Sequence, residues 1–208
     1  MASWVFLYRM FYNGTTDMKL ILIKHTSTDW DAAGRIKGQT DVGLNEKGRA
    51  EARRLAEHLR GFSPTLVVSS DLSRAHETAE IIRAALGVAA PVRLEPNLRE
   101  CSFGAVEGLT KEQAVEKYGP QIIRDWEDQY LAYDFRPFDG ENRDRVLARY
   151  QAALQSLVAE GNDQTILIVA HGRGLATLLA FLSQSPVVKK NEYYVIDVEN
   201  NEAKLKST

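Results

Sequence analysis

Short apolar runs alternating with amphipathic stretches are what most constrain the fold of this chain. Residues 19–24, 65–69, 92–95 and 165–170 are β-branched or leucine-rich, short enough for strands and apolar enough to be buried on both faces of a mainly parallel sheet. Between them, residues 44–60 place apolar or alanine positions at helical spacing and stop at Gly61, and residues 72–86 stop at Gly87, as expected of glycine just past a helix end. Thr110 reads as the N-cap of a helix over 111–118, Gly119-Pro120 breaks it, and a second helix is expected over 121–131. The longest helix is expected over 144–160, with Val146, Leu147, Tyr150, Ala153, Leu154 and Leu157 on one stripe before Gly161. Residues 193–198 and 203–206, about the Asn200-Asn201 turn, read as a hairpin that adds antiparallel pairing at one sheet end. The pattern is that of an α/β domain.

A chain of 208 residues with 44% hydrophobic content buries a substantial core and fits one domain better than two. Its formal charge of -2 provides no field to concentrate nucleic acid or an anionic membrane, so neither is expected as a partner and any anion site must be local. The lone cysteine, Cys101, excludes an internal disulfide and a cysteine-rich metal site, and it fits a reducing compartment, with the cytoplasm as the expectation. Residues 1–17 are apolar at first, but they have no basic leader, Arg9 interrupts them, and they are too short to span a bilayer. They are read as an N-terminal extension, not a native start, ahead of a domain over 18–208.

Four segments place reactive or anion-binding residues where strands end or helices begin, the usual ligand position in open α/β sheets. They are Lys24-His25-Thr26-Ser27-Thr28-Asp29-Trp30, Ser69-Ser70-Asp71-Leu72-Ser73-Arg74, Leu98-Arg99-Glu100 and Ala170-His171-Gly172-Arg173-Gly174. With Gly34-Arg35-Ile36-Lys37-Gly38-Gln39-Thr40-Asp41 and Leu44-Asn45-Glu46-Lys47-Gly48 between the first two, the series resembles the phosphatase branch of the histidine phosphatase superfamily, the phosphoglycerate mutase-like proteins, from Met18 to about Lys206. The resemblance implies a three-layer α/β/α sandwich, a phosphohistidine intermediate, a small phosphorylated substrate, and no metal or cofactor.

A neutral imidazole at His25 can accept a phosphoryl group and pass it to water. Alone, a histidine at a strand end is more often a hydrogen-bonded structural residue; the other segments reverse that reading. Phosphoryl oxygens need several donors around one point, and Lys24, Arg74 and His171 are the candidates. Arg74 can grip two oxygens with its planar fork, and His171 opens a helix whose N-terminal dipole favours an anion. Glu100 is the expected general acid and base; Glu107 is its nearby rival, and the family's Leu-x-Glu pattern selects Glu100. Thr26, Ser27, Thr28, Asp31 and Gln39 are expected around the pocket.

Three positions depart from the family pattern. Lysine stands at 24 where arginine is expected, Thr26 replaces a glycine, and Asp31 sits where many relatives have asparagine. Lys24 keeps the charge but loses the bidentate fork, which predicts slower turnover. A carboxylate at 31 repels phosphate unless it is paired, with Arg35 as the expected partner. A phosphatase of a small metabolite is the leading reading. A catalytically weak phosphate-ligand or protein-binding module and a phosphoglycerate mutase are the alternatives. Trp126, Tyr130, Tyr133, Phe135, Arg136 and Phe138 fit either a pocket lid or ordinary hydrophobic packing, and an exposed aromatic patch there would equally suit a homodimer contact.

Overall fold

The computed structural model describes residues 18–127, 132–160, 164–183, 192–199 and 202–206. Strands β1 (Met18–Lys24), β2 (Leu66–Ser69), β3 (Arg93–Leu94), β4 (Thr165–Ala170), β5 (Tyr193–Glu199) and β6 (Glu202–Lys206) form a single sheet in the order β3-β2-β4-β1-β5-β6. The β1–β4, β2–β4 and β2–β3 pairs are parallel, while β5 and β6 add antiparallel pairing at one end.

Successive side chains of a strand point to opposite faces, and both faces here are apolar. Leu20, Leu22, Val68, Ile166 and Ile168 join a core on one side; Ile21, Ile23, Val67, Leu167 and Val169 join another. The second side is covered by α2 (Glu46–Leu59) and α3 (Ser73–Leu86). The first is covered by α6 (Arg143–Ala159), α7 (Gly172–Ser183) and the irregular segment through Leu98, Phe103 and Phe135. The result is the three-layer sandwich. Burying each of these strand side chains contributes about 1.5–3 kcal/mol, so the helical layers follow from the strand composition.

Shorter elements complete the chain: α1 (Asp29–Ala32), α4 (Lys111–Tyr118) and α5 (Gln121–Glu127). Thr110 caps α4 in a capping box with Gln113. Gly87 ends α3 with φ 69°, a left-handed conformation that suits glycine. The expected stripe of α6 is buried at all six positions.

Some boundaries differ from the sequence expectation. Helix α2 begins at Glu46 because the Asn45 side chain accepts the Gly48 N–H, and Gly61 falls inside a 3-10 turn, Arg60–Phe62, with Ser63 taking the left-handed position. Strand β3 shrinks to two residues because it is an edge strand, paired with β2 alone among the described residues. Residues 128–131 of the expected second helix, Gly161 and the Asn200-Asn201 turn lie outside the described residues.

Candidate active site

The strand order places the carboxyl ends of β2, β4 and β1 side by side, with Ser69 beside Val169 and Lys24 beside Ala170. The next residue of each chain segment, Ser70, His171 and His25, therefore emerges at one edge of the sheet. The His25 N–H donates to Ala170 O at 2.9 Å and the Ser70 N–H to Val169 O at 3.0 Å, extending the ladder to the site itself. The two imidazole rings lie 5.2 Å apart between centroids. His25 borders a cavity of about 330 Å³ lined also by Lys24, Asp31, Arg74 and Glu100 among others, enough for a phosphoryl group and a small organic leaving group, whereas His171, fully buried, is not one of its lining residues.

His25 is buried, and its Nδ1 lies 2.7 Å from Thr26 O. A carbonyl oxygen only accepts, so Nδ1 carries the proton and Nε2 is left with its lone pair. Burial, then the charges of Arg74 and Lys24, push the His25 pKa well below its ordinary value, and the ring is neutral at physiological pH. His171 is also buried and held neutral, first by burial and then by Arg74. Its Nε2 meets Ser70 Oγ at 2.9 Å, and its Nδ1 has no hydrogen-bond partner among the described residues.

Arg74 is fully buried on the first turn of α3. Its guanidinium donates to Thr40 O at 2.9 Å and Gly38 O at 2.6 Å, which folds the 38–40 loop over it, while Nε has no partner among the described residues. Burial lowers its pKa from the usual arginine value. Lys24 packs against Gly172 at the start of α7: a Cβ added at Gly172 would lie 3.4 Å from Lys24 Cε and Nζ. Glu100 lines the cavity from the opposite chain segment. Its carboxylate accepts the N–H groups of Cys101, Arg173 and Gly174 at 2.9, 3.2 and 3.1 Å, which anchors it on the N-terminus of α7. Gly174 is glycine for a steric reason, since a Cβ there would overlap the Tyr150 hydroxyl.

Glu107 is placed differently from Glu100. Its carboxylate accepts from the N–H groups of Gln39, Thr40 and Phe103 and from the Thr40 hydroxyl, tying two loops together behind the cavity.

The other expected pocket residues divide. Asp31 lines the cavity, but its partner is Lys37, at 2.6 Å, and not Arg35. Arg35 donates instead to Gly108 O at 2.5 Å. Burial alone would raise the Asp31 pKa; the Lys37 ammonium and the Thr28 N–H and hydroxyl overcome that and hold it well below the carboxylate range. Thr26, Ser27, Thr28 and Gln39 do not line the cavity. The Thr78 hydroxyl donates to Arg74 O, so the Thr26 hydroxyl, 3.2 Å away, is the donor to Thr78 and turns toward α3. Ser27 donates to the buried Glu51 carboxylate at 2.6 Å, and Thr28 caps α1. Gln39 Nε2 donates to Glu100 O at 3.1 Å and supports the loop that carries the acid.

The structure adds cavity residues not anticipated as such: Trp30, Lys37, Phe103 and Arg173. Of the aromatic segment, Trp126 lines the cavity, whereas Tyr133 and Phe135 are buried core residues and Phe138 packs against that core. Arg136 is exposed and pairs with Asp134 at 2.7 Å. Tyr130 lies outside the described residues. No cluster of three metal-ligating side chains occurs among the described residues.

A mainly parallel three-layer sandwich with two neutral histidines, a buried arginine and a glutamate at one sheet edge defines a phosphate-handling α/β protein. The chain belongs to the histidine phosphatase superfamily (branch 1), whose family model it matches over residues 20–202. It is 34% identical over 177 residues to the glucosyl-3-phosphoglycerate phosphatase of Mycobacterium tuberculosis, covering 81% of this chain and 77% of that protein. Against the probable phosphoglycerate mutase GpmB of an Enterobacter species it is 33% identical, covering 81% of this chain and 76% of that one. Among solved structures, Bacillus stearothermophilus YhfR superposes with TM-score 0.80 at 31% identity, covering 90% and 95% of the two chains. A mycobacterial glucosyl-3-phosphoglycerate phosphatase in complex with VO3 superposes with TM-score 0.78 at 30% identity, covering 91% and 98%.

Proposed function

We propose that this enzyme hydrolyses a small phosphomonoester through a phosphohistidine formed on His25. The observation that carries the reading is the tautomer of His25: with Nδ1–H bound to Thr26 O and the ring kept neutral by burial, the Nε2 lone pair is the reactive position in the cavity.

In the first step Nε2 attacks phosphorus, the P–O ester bond breaks, and the leaving oxygen takes a proton from the Glu100 carboxyl. In the second, water attacks phosphorus as Glu100 takes its proton. The P–N bond breaks, and inorganic phosphate leaves with His25 neutral again. Lys24 and Arg74 oppose the equatorial oxygen charge. With Ser70 as donor to Nε2, His171 presents Nδ1–H as a further neutral donor to the same oxygens. The relatives bearing phosphatase names support hydrolysis over mutase chemistry. We further propose a cytoplasmic location, on the strength of the lone reduced cysteine, and a homodimer. Fractionation and light scattering test these two points.

The direct test measures phosphate release from p-nitrophenyl phosphate, 3-phosphoglycerate and a panel of alkyl phosphates, without added metal. His25→Ala is expected to abolish release. Glu100→Gln should slow alkyl phosphates by about 10²–10⁴-fold and p-nitrophenyl phosphate much less, because nitrophenolate leaves without a proton. Isomerised product from 3-phosphoglycerate would assign a mutase, and binding without release from any compound would assign a binding module.

A further inference from the structure

Glu100 stands on a segment with no regular structure of its own. Residues 99–103 lie between two 3-10 turns, Pro96–Leu98 and Gly104–Val106, so their backbone groups need partners from other parts of the chain. Helix α6 supplies them from two adjacent residues. Arg149 donates to the carbonyl oxygens of Asn97, Arg99 and Glu100, and the Tyr150 hydroxyl donates to Leu98 O at 2.9 Å. The consecutive carbonyls 97 to 100 are thus all held from one turn of α6.

Arg149 is itself fixed. The Glu141 carboxylate accepts its Nε at 3.1 Å on one oxygen and its NH2 at 3.0 Å on the other. The same carboxylate accepts the Ser102 N–H at 2.9 Å, just past the acid. The Arg149 and Glu141 side chains are only 14% and 8% exposed, so water competes little for these charge-assisted bonds. Gln39 completes the network: its Nε2 donates to Glu100 O at 3.1 Å and to Glu141 Oε2 at 3.4 Å. Gln39 belongs to the loop whose Gly38 and Thr40 carbonyls accept from Arg74. The backbone of the acid is therefore tied to the arginine assigned to the phosphoryl oxygens. Gln39, Glu141 and Arg149 do not line the cavity.

We propose that Gln39, Glu141 and Arg149 are positioning residues for proton transfer, holding the Glu100 carboxyl at a fixed place relative to the phosphoryl group. The proposal rests on the phosphatase reading above and on Glu100 as its acid. Weakening the network then slows substrates whose leaving oxygen needs a proton and spares those whose leaving group departs as an anion. A network that merely supported the fold would slow both alike.

The test compares kcat/KM for p-nitrophenyl phosphate and for the fastest alkyl phosphate of the panel. This constant covers the steps up to cleavage of the ester, so dephosphorylation of His25, common to both substrates, does not enter. Arg149→Lys keeps a charge beside Glu141 but cannot reach three carbonyls at once. Gln39→Leu removes two hydrogen bonds and leaves the Arg149–Glu141 pair in place, so it decides the question even where Arg149→Lys does not fold. Each variant is expected to lower the alkyl phosphate value by about 10–100-fold, the scale of a small misplacement of a catalytic group, and the p-nitrophenyl phosphate value by less than about 3-fold. Equal losses on both substrates, or no loss in either variant, overturn the positioning proposal and leave the phosphatase reading standing. Should Glu100→Gln slow both substrates alike, the acid role of Glu100 fails and the proposal fails with it. A wild type that releases phosphate from none of the compounds overturns the phosphatase reading itself.

Discussion

Lys37→Met removes the countercharge of Asp31 and leaves its carboxylate facing the cavity. The pair is short, 2.6 Å, and its side chains are only 14% and 24% exposed, so solvent replaces little of what is lost. Asp31 keeps its bonds from the Thr28 N–H and hydroxyl, both 2.9 Å, which favour the ionised form. Taking a separation of about 8 Å and an effective dielectric of about 20, that carboxylate opposes each phosphate charge by about 2 kcal/mol. Screening and relaxation reduce this, and a loss of about 1–2 kcal/mol, or about 5–30-fold in affinity, is expected. The assay is the competitive inhibition constant of inorganic phosphate at low ionic strength. Asp31→Asn, which leaves Lys37 unopposed, should tighten phosphate binding, and Asp31→Asn/Lys37→Met should return close to wild type. A double variant as weak as Lys37→Met alone would refute the reasoning, because the carboxylate would then not be the cause.

Three further outcomes follow from the same geometry. His25 and His171 have folded-state pKa values depressed by burial, so below the unfolded value near 6.5 the unfolded chain binds protons that the folded one refuses; stability should fall by up to about 1.4 kcal/mol per pH unit for each. Urea melts should therefore weaken between pH 7.5 and 5.5, and a flat profile would count against buried neutral rings; the Asp31 contribution is lost only at much lower pH. Arg149 binds the carbonyl oxygens of Asn97, Arg99 and Glu100 and pairs with buried Glu141 at 3.0 Å, so Arg149→Met should cost about 3–5 kcal/mol by denaturant unfolding. Thr26→Val removes only the donor to Thr78 and should cost about 1 kcal/mol with little change in turnover; a large loss of kcat would place that side chain beside the reacting group.

The sheet was legible because parallel strands buried on both faces are continuous apolar runs, as in β1 and β4, and because Thr110 and Gly87 mark helix ends by local chemistry. Edge strand β3 was overdrawn, since nothing local shows how many residues find a partner. His25, Arg74, Glu100 and His171 stood out because each sits at a strand end or helix start within a recognisable segment. Side-chain direction did not. Thr26, Ser27 and Thr28 follow His25 in sequence, yet they turn to Thr78, Glu51 and the α1 cap. Lys37 and Arg173 reach the cavity through a loop folded over Arg74 and a ring cluster assembled from residues 103 to 135, arrangements that exist only in three dimensions.

The phosphoenzyme is the most direct test of the central claim. The enzyme is mixed with ³²P-labelled p-nitrophenyl phosphate, quenched in alkali within the first turnover, and its peptides are mapped. The account predicts label that is stable in alkali, labile in acid and confined to the peptide carrying His25, and none in His25→Ala. Rapid turnover with no labelled protein, or label on another residue, would contradict it.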